Sequence, residues 1–158
     1  MANVDLILRV ITTISTLTIG VAASVLAYQQ FKISKAKLRF ELYEKRYALF
    51  LRLRMFVSDL AIGSNDTTEV LSKSGAFKRD TIECRFLFDA DVVAYFDQVY
   101  EKARALSKAK LNFDRPLLRE DEADSIRDRL NNLHVWFFDQ SDEMFSVFQK
   151  DLSIKTLR

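Results

Sequence analysis

The uncharged stretch VITTISTLTIGVAASVLAY, from Val10 to Tyr28, decides the architecture of the chain. As an α-helix these residues would rise about 28 Å, close to the hydrocarbon thickness of a bilayer. Tyr28 and Phe31 stand where interfacial aromatic residues belong. A basic segment and a long amphipathic pattern follow with no helix breaker. We therefore predict a transmembrane anchor over residues 1–31 that continues into the first helix of a bundle.

A cleaved signal peptide is the alternative interpretation of the same stretch. Val25-Leu26-Ala27 resembles a small-residue cleavage site, after which a mature chain would start near Tyr28. Asp5 and Arg9 cancel before the apolar run, so the positive n-region of a signal peptide is missing. The run is also longer than a typical h-region. These features favour the anchor.

The composition beyond the anchor predicts an all-α domain over residues 32–158. Hydrophobic residues make up 49% of the chain and include 13 Phe, whereas only 3 Gly and 1 Pro supply turns. Long periodic segments with few turns favour an antiparallel three- to four-helix bundle over a sandwich or barrel.

The first bundle helix is predicted from about 33 to 62, with a broad apolar face. That face comprises Phe40, Leu42, Tyr43, Tyr47, Leu49, Phe50, Leu53, Phe56, Val57, Leu60 and Ala61. Gly63 is predicted to end this helix.

Capping and breaking residues place the later helices. A second helix is predicted to start at Asp66 and to end at Ser74-Gly75, and a third covers 76–88. A fourth, capped by Asp89, runs from 90 to about 110. After a loop over 111–118, which contains Pro116, the last helix runs from 120 to about 152.

Positive charge is concentrated directly after the anchor. Residues 32–46 contain six Lys or Arg and two Glu, an excess of +4, whereas the whole chain carries +2. A basic neck of this kind suits anionic lipid headgroups, and it predicts headgroup contacts for Lys32, Lys35, Lys37 and Arg39. By the positive-inside rule the N-terminus lies outside and the domain in the cytoplasm. A nucleic-acid partner is not expected, since the rest of the domain is not basic.

One face of the anchor carries Thr16, Gly20 and Ser24 at four-residue spacing. Small residues at this spacing allow two helices to approach closely, which predicts self-association through this face. Chance spacing is the plain alternative. A pore lined by the hydroxyl groups is a further one, although no ring of charges lies at mid-membrane depth.

The sequence offers little for catalysis. His134 and Cys84 are the only residues of their types, and both fall beside apolar stripes, where packing explains them. We predict no catalytic residues, no cofactor and no metal site. Trp136-Phe137-Phe138 cannot all face one core, because each helical step turns about 100°. One of Trp136 or Phe138 is therefore expected at the rim of the bundle, as a candidate docking surface.

Three segments of the chain form a recognisable set: Lys37–Phe50, Phe77–Asp89 with Val93–Phe96, and Trp136-Phe137 with Phe148 and Leu152. They resemble the neck, the middle and the ending of a widespread group of small, uncharacterised bacterial membrane proteins. Cys84 stands where a small residue such as Ala is expected. The resemblance implies a bacterial inner-membrane protein with a cytoplasmic helical domain, and it implies no activity.

These observations leave three hypotheses for function. The first is a non-enzymatic, membrane-anchored scaffold or regulatory module that recruits a protein partner, as a homo-oligomer. The second is a small membrane-perturbing or channel-forming component that acts through its Thr- and Ser-rich span. The third is a lipid-binding domain at the membrane surface.

Overall fold

A computed structural model describes residues 2–62, 66–115 and 119–153, with the backbone alone at residues 2–4, 6–8 and 10. Every regular element in these ranges is a helix, so the all-α prediction is confirmed. The helices are α1 (Ala2–Ala61), α2 (Thr67–Asp80), α3 (Cys84–Leu87), α4 (Ala90–Phe113) and α5 (Glu120–Phe148). The predictions on Gly63 and Pro116 lie outside the described ranges.

The chain divides into two compact units, Met1–Glu41 and Leu42–Arg158. We had predicted a boundary at residue 31/32. The first unit consists of the N-terminal part of α1. Among the described residues, one helix is long and apolar enough to cross a membrane, and it lies within Ile11–Ala61.

The second unit, hereafter the bundle, is antiparallel throughout. Along α1, Phe50 contacts Phe148 and Leu60 contacts His134, so α1 and α5 run in opposite directions. By the same argument α1 is antiparallel to α2, where Arg52 bonds Asp80 and Asp59 bonds Lys73.

Helix α4 closes the ring of four. It pairs with α2 through Phe96–Phe77 and Asp114–Thr67. It pairs with α5 through Tyr95–Gln140 and Lys102–Trp136. Both sets of contacts run antiparallel, and the order α1, α2, α4, α5 is that of an up-down-up-down four-helix bundle. The predicted antiparallel bundle is confirmed.

Aromatic rings fill the core. Phe148, at the end of α5, packs against Phe50 of α1, Phe88 after α3, and Tyr95 and Phe96 of α4, with ring centroids 5.2–6.4 Å apart. Edge-on packing of this kind adds to the hydrophobic gain of burial. One cluster of rings therefore joins three long helices at one end of the bundle.

The predicted ends of the helices need correction. Asp66 does cap α2, accepting a hydrogen bond from the amide of Thr67, but α2 continues through Gly75 to Asp80. Residues 76–88 therefore form the end of α2, a turn and the four-residue α3, and not one helix. Helix α4 extends to Phe113, which shortens the predicted loop, and α5 ends at Phe148.

The predicted buried face of α1 is wrong at its start. Leu49, Leu53, Phe56 and Leu60 are buried, as expected. In contrast, Phe40, Leu42 and Tyr47 are exposed, and Tyr43 is only half-buried. The reason within the bundle is that α5 ends at the level of Phe50, which packs against Phe148, the last residue of α5. Residues of α1 before Phe50 therefore lie beyond the end of α5.

Candidate interaction surface

The outer face of α5 exposes three large apolar side chains. Val135, Phe138 and Phe145 are 58%, 72% and 54% exposed. Their spacing of three and seven residues places them on one side of the helix. Isolated exposed apolar residues are ordinary, but aligned ones mark contact surfaces. This stripe is the strongest candidate for an interaction surface in the bundle.

A groove continues this surface onto α1. It has a volume of about 650 Å³ and is lined by aromatic residues of both helices and by Leu152. Its polar members are Asp142, Ser146, Gln149 and Ser153. Tyr43 stacks on Tyr47 with ring centroids 6.0 Å apart, and Phe50 meets Phe145 at 5.6 Å. The guanidinium of Arg54 lies over the Phe145 ring, 6.0 Å from its centroid. The walls of the groove are therefore largely apolar.

Of the two aromatic residues that we propose as candidates for a docking surface, the structure exposes one. Phe138 is exposed on the outer face of α5, but Trp136 is only half-buried and turns toward α4. There the Lys102 ammonium lies 5.3 Å from its ring centroid, and Phe137 packs edge-on at 5.0 Å. Residues two apart on a helix point about 200° apart, so they cannot share a face.

The basic neck loses one of its members to the bundle. Arg46 Nε donates to the carbonyl of Leu87 at 2.7 Å, and Nη1 lies 3.7 Å from Oδ1 of Asp151. It therefore holds α1 against the ends of α3 and α5, whereas the sequence places it among the charges of the basic neck. Of the four predicted headgroup residues, Lys32, Lys35 and Lys37 are exposed and Arg39 is partly buried. Lys37 lies 3.9 Å from Glu41 and Lys32 lies over the Tyr28 ring.

Arg46 belongs to a set of three side chains that bind the C-terminal carbonyls of helices. Arg52 donates to the carbonyl of Asp80, the last residue of α2, at 2.9 Å. Nδ1 of His134 lies 3.1 Å from the carbonyl of Leu60 in the last turn of α1, so Nδ1 is the donor. The last carbonyls of a helix lack partners within it, and cationic or polar donors satisfy them. His134 is therefore a structural residue of the bundle.

Five hydroxyl groups of the N-terminal helix bond to carbonyls of their own helix. Thr16 donates to the carbonyl of Thr12 at 2.8 Å, and Ser24 to that of Gly20 at 2.9 Å. Thr12, Thr13 and Thr18 do the same. Such bonds hide the donors from lipid. Thr16, Gly20 and Ser24 share one exposed face. Apart from the adjoining residues and the helix's own backbone, no atom of the described residues lies within 4 Å of a Cβ placed on Gly20.

The other side chains that could take part in chemistry are buried in the core or paired with a neighbouring charge. Cys84 is buried, and that burial raises the pKa of its thiol, which makes the thiolate scarce. Asp97 bonds Lys78, whose ammonium holds the pKa of that carboxyl below its ordinary value. Among the described residues, no group of three or more His, Cys, Asp or Glu side chains could hold a metal ion.

Sequence reasoning missed a buried polar chain in the core. The Tyr95 hydroxyl donates to the Gln140 amide oxygen at 2.8 Å, and the Gln140 amide nitrogen donates to Glu143 at 2.9 Å. Gln140 is almost fully buried. Its place in the apolar stripe of α5, between Phe137 and Met144, was the available signal. These hydrogen bonds fix the position of α4 along the axis of α5.

Comparisons with known proteins add no assignment. No protein-family model, no curated protein and no solved structure matches this chain. The resemblance to small bacterial membrane proteins therefore stays a prediction.

Proposed function

We propose that this protein is a membrane-anchored, non-enzymatic interaction module of the bacterial inner membrane. The observation that carries the proposal is the apolar exterior of the N-terminal helix. Every residue from Ile11 to Tyr28 is exposed, including Leu17 and Ile19. A continuous apolar surface of this length is stable in lipid and unfavourable in water.

The distribution of charge supports a cytoplasmic bundle. Lys32, Lys35 and Lys37 follow the span at once and are exposed, whereas Asp5 and Arg9 cancel on its other side. Positive residues next to a span are retained on the cytoplasmic side. We therefore propose an outside N-terminus, with the neck at the anionic headgroups.

The bundle supplies the interaction. The exposed stripe of α5 and the adjoining groove offer an apolar surface suited to another protein. Five hydroxyl groups of the span bond to their own backbone, which favours an anchor over a hydrated pore. The span, in this proposal, holds the bundle at the membrane and helps chains meet through Thr16, Gly20 and Ser24.

Membrane anchoring is tested by flotation and alkaline extraction of the full chain with Ile14→Arg and Leu17→Arg together. Each charge at mid-membrane depth costs about 2.5–3.5 kcal/mol, so we expect the double variant to leave the membrane fraction. The matched control is Leu71→Arg with Ile82→Arg, because these residues are exposed on the bundle. An extractable native chain, or a native chain whose mass shows that it starts near residue 28, would overturn the anchor.

The proposal that the span anchors the protein and the bundle binds the partner is tested by replacing residues 10–31 with an unrelated apolar span. A photo-crosslinker at position 138 reports contacts of the bundle, and one at position 71 serves as the control site. We expect crosslinks at 138 to survive the replacement, and vesicles containing the native chain to retain a trapped dye. Dye leakage that depends on the native span would favour the channel-forming alternative.

A further inference from the structure

The groove between α1 and α5 has aromatic walls and a single charge. The buried rings of Phe50 and Phe148 form its floor, and the exposed rings of Tyr47 and Phe145 stand at its sides. Of the described residues that line it, Asp142 is the only one that carries a charge. Ligand sites are mostly apolar, with a few polar groups and volumes of about 300–1,000 Å³. The groove, at about 650 Å³, has these properties.

The aromatic rings of the groove are suited to a positive charge. Tyr43 stacks parallel to Tyr47 with ring centroids 6.0 Å apart, and Phe50 meets Phe145 at 5.6 Å. The face of such a ring carries negative charge density and attracts cations. Phe145 already shows this property, because the guanidinium of Arg54 lies 6.0 Å from its centroid. Arg54 itself is not among the residues that line the groove.

Asp142 supplies a negative charge at the rim. It is exposed and shares the rim with Ser146 and Gln149, which follow it at helical spacings of four and three residues. In the part of the bundle that the structure describes, no ion pair within 4.0 Å involves Asp142. Its carboxylate therefore stands beside apolar rings with no cation at contact distance.

We propose that this groove binds a small organic cation, an ammonium ion that carries an apolar or aryl substituent. The ammonium lies between the Asp142 carboxylate and the Phe145 ring, and the substituent packs along Tyr47 toward Leu152. An anion is repelled by Asp142, and a neutral ligand gains nothing from its charge. The inference goes beyond the proposed function, because it requires no protein partner. A bound cation fills the groove next to the exposed stripe of α5.

The test measures binding of radiolabelled benzyltrimethylammonium to the full chain by equilibrium dialysis in a non-ionic detergent, with detergent alone as the blank. Benzyl alcohol and phenylacetate are the comparison probes, because they carry the same ring with no charge and with a negative charge. We expect saturable binding of the cation. The other two probes should bind at least about fivefold more weakly, since a charge pair about 4 Å apart contributes that factor even in water.

Variants of the groove separate the carboxylate from the rings. Asp142→Asn keeps the shape of the side chain and removes its charge, so the affinity for benzyltrimethylammonium should fall at least about fivefold. Tyr47→Leu should weaken binding about two- to fivefold, whereas Tyr47→Phe keeps the ring face and should bind as the native chain does. Asp139→Asn is the matched control, because Asp139 is exposed on the same helix and does not line the groove.

Equal binding of the three probes overturns the inference. An affinity that Asp142→Asn leaves unchanged, or that Asp139→Asn lowers equally, overturns it as well. Binding of trilysine without binding of benzyltrimethylammonium would instead assign the carboxylate to a basic protein partner and also reject the small cation. Urea unfolding followed by Trp136 fluorescence verifies the fold of each variant. If Tyr47→Leu unfolds, the comparison of Asp142→Asn with Asp139→Asn still decides.

Discussion

Phe148 is the side chain on which the core of the bundle depends most. It is 1% exposed, and its ring contacts the rings of Phe50, Phe88, Tyr95 and Phe96. These four residues come from α1, α4 and the segment after α3. Phe148→Ala therefore removes the contact common to these elements and leaves a cavity among rigid rings.

The expected loss in the free energy of unfolding is about 4 kcal/mol. Burial of a Phe side chain contributes about 1.5–3 kcal/mol, and the unfilled cavity raises the cost of Phe→Ala to about 3–5 kcal/mol. The edge-on ring contacts place Phe148 in the upper part of that range. Since a domain is stable by only about 5–15 kcal/mol, the variant loses a large share of its stability.

The single tryptophan makes the assay specific to the bundle. Trp136 packs on Phe137 and under Lys102, so its fluorescence follows unfolding of α5 from α4 even while the N-terminal helix stays in detergent. Urea unfolding is compared between the native chain, Phe148→Ala and the control Phe86→Ala, whose side chain is 87% exposed. A loss below about 1 kcal/mol for Phe148→Ala, or an equal loss for Phe86→Ala, would refute the packing argument.

Three further predictions use the same urea assay. Arg46→Met should cost about 1–3 kcal/mol, because the carbonyl of Leu87 loses a charged donor, whereas its exposed neighbour Lys45→Met should stay within about 0.5 kcal/mol; equal effects would contradict the role of Arg46. Tyr95→Phe should cost about 1–3 kcal/mol by leaving the buried Gln140 oxygen without its donor, and adding Gln140→Leu should recover part of that cost, so a further loss would count against the polar chain. Asp97, whose pKa Lys78 lowers from 3.8, stabilises the fold above its unfolded pKa and loses that contribution as pH falls through its folded pKa. Asp97→Asn should therefore flatten the acid-side fall in the urea midpoint, and an unchanged pH profile would exclude this carboxyl as a cause.

Helical periodicity indicates the buried face of α4. Val92, Phe96, Val99, Ala103 and Leu106 recur at spacings of three and four residues, and all five are buried. On α1 the same rule failed at Leu42 and Tyr47. The apolar pattern continues toward the neck, but α5 reaches only as far as the level of Phe50. A sequence shows which face is apolar and does not show where the neighbouring helix ends.

Local signals also misled where packing overrides them. Ser74-Gly75 is predicted to end α2, yet the helix continues past Gly75 to Asp80. The reason is that Phe77, just beyond Gly75, stacks on Phe56 with ring centroids 4.1 Å apart. At the candidate surface, the turn per residue correctly required one exposed aromatic among three. The turn per residue does not show which aromatic residue is covered. Lys102 of α4 covers Trp136 and leaves Phe138 exposed, and this depends on how far α4 lies along the axis of α5.

The three contacts of Arg46, Arg52 and His134 have a consequence for the evolution of the chain. Each binds a main-chain carbonyl, which every amino acid supplies equally. A change of side chain at position 80 or 87 therefore leaves these bonds in place, and at position 60 only the burial of Leu60 in the core limits the change. A substitution of Arg46, Arg52 or His134 removes its bond. Methods that find contacts from correlated substitutions between positions will overlook these links, and single-site constraint at the donors will be their visible trace.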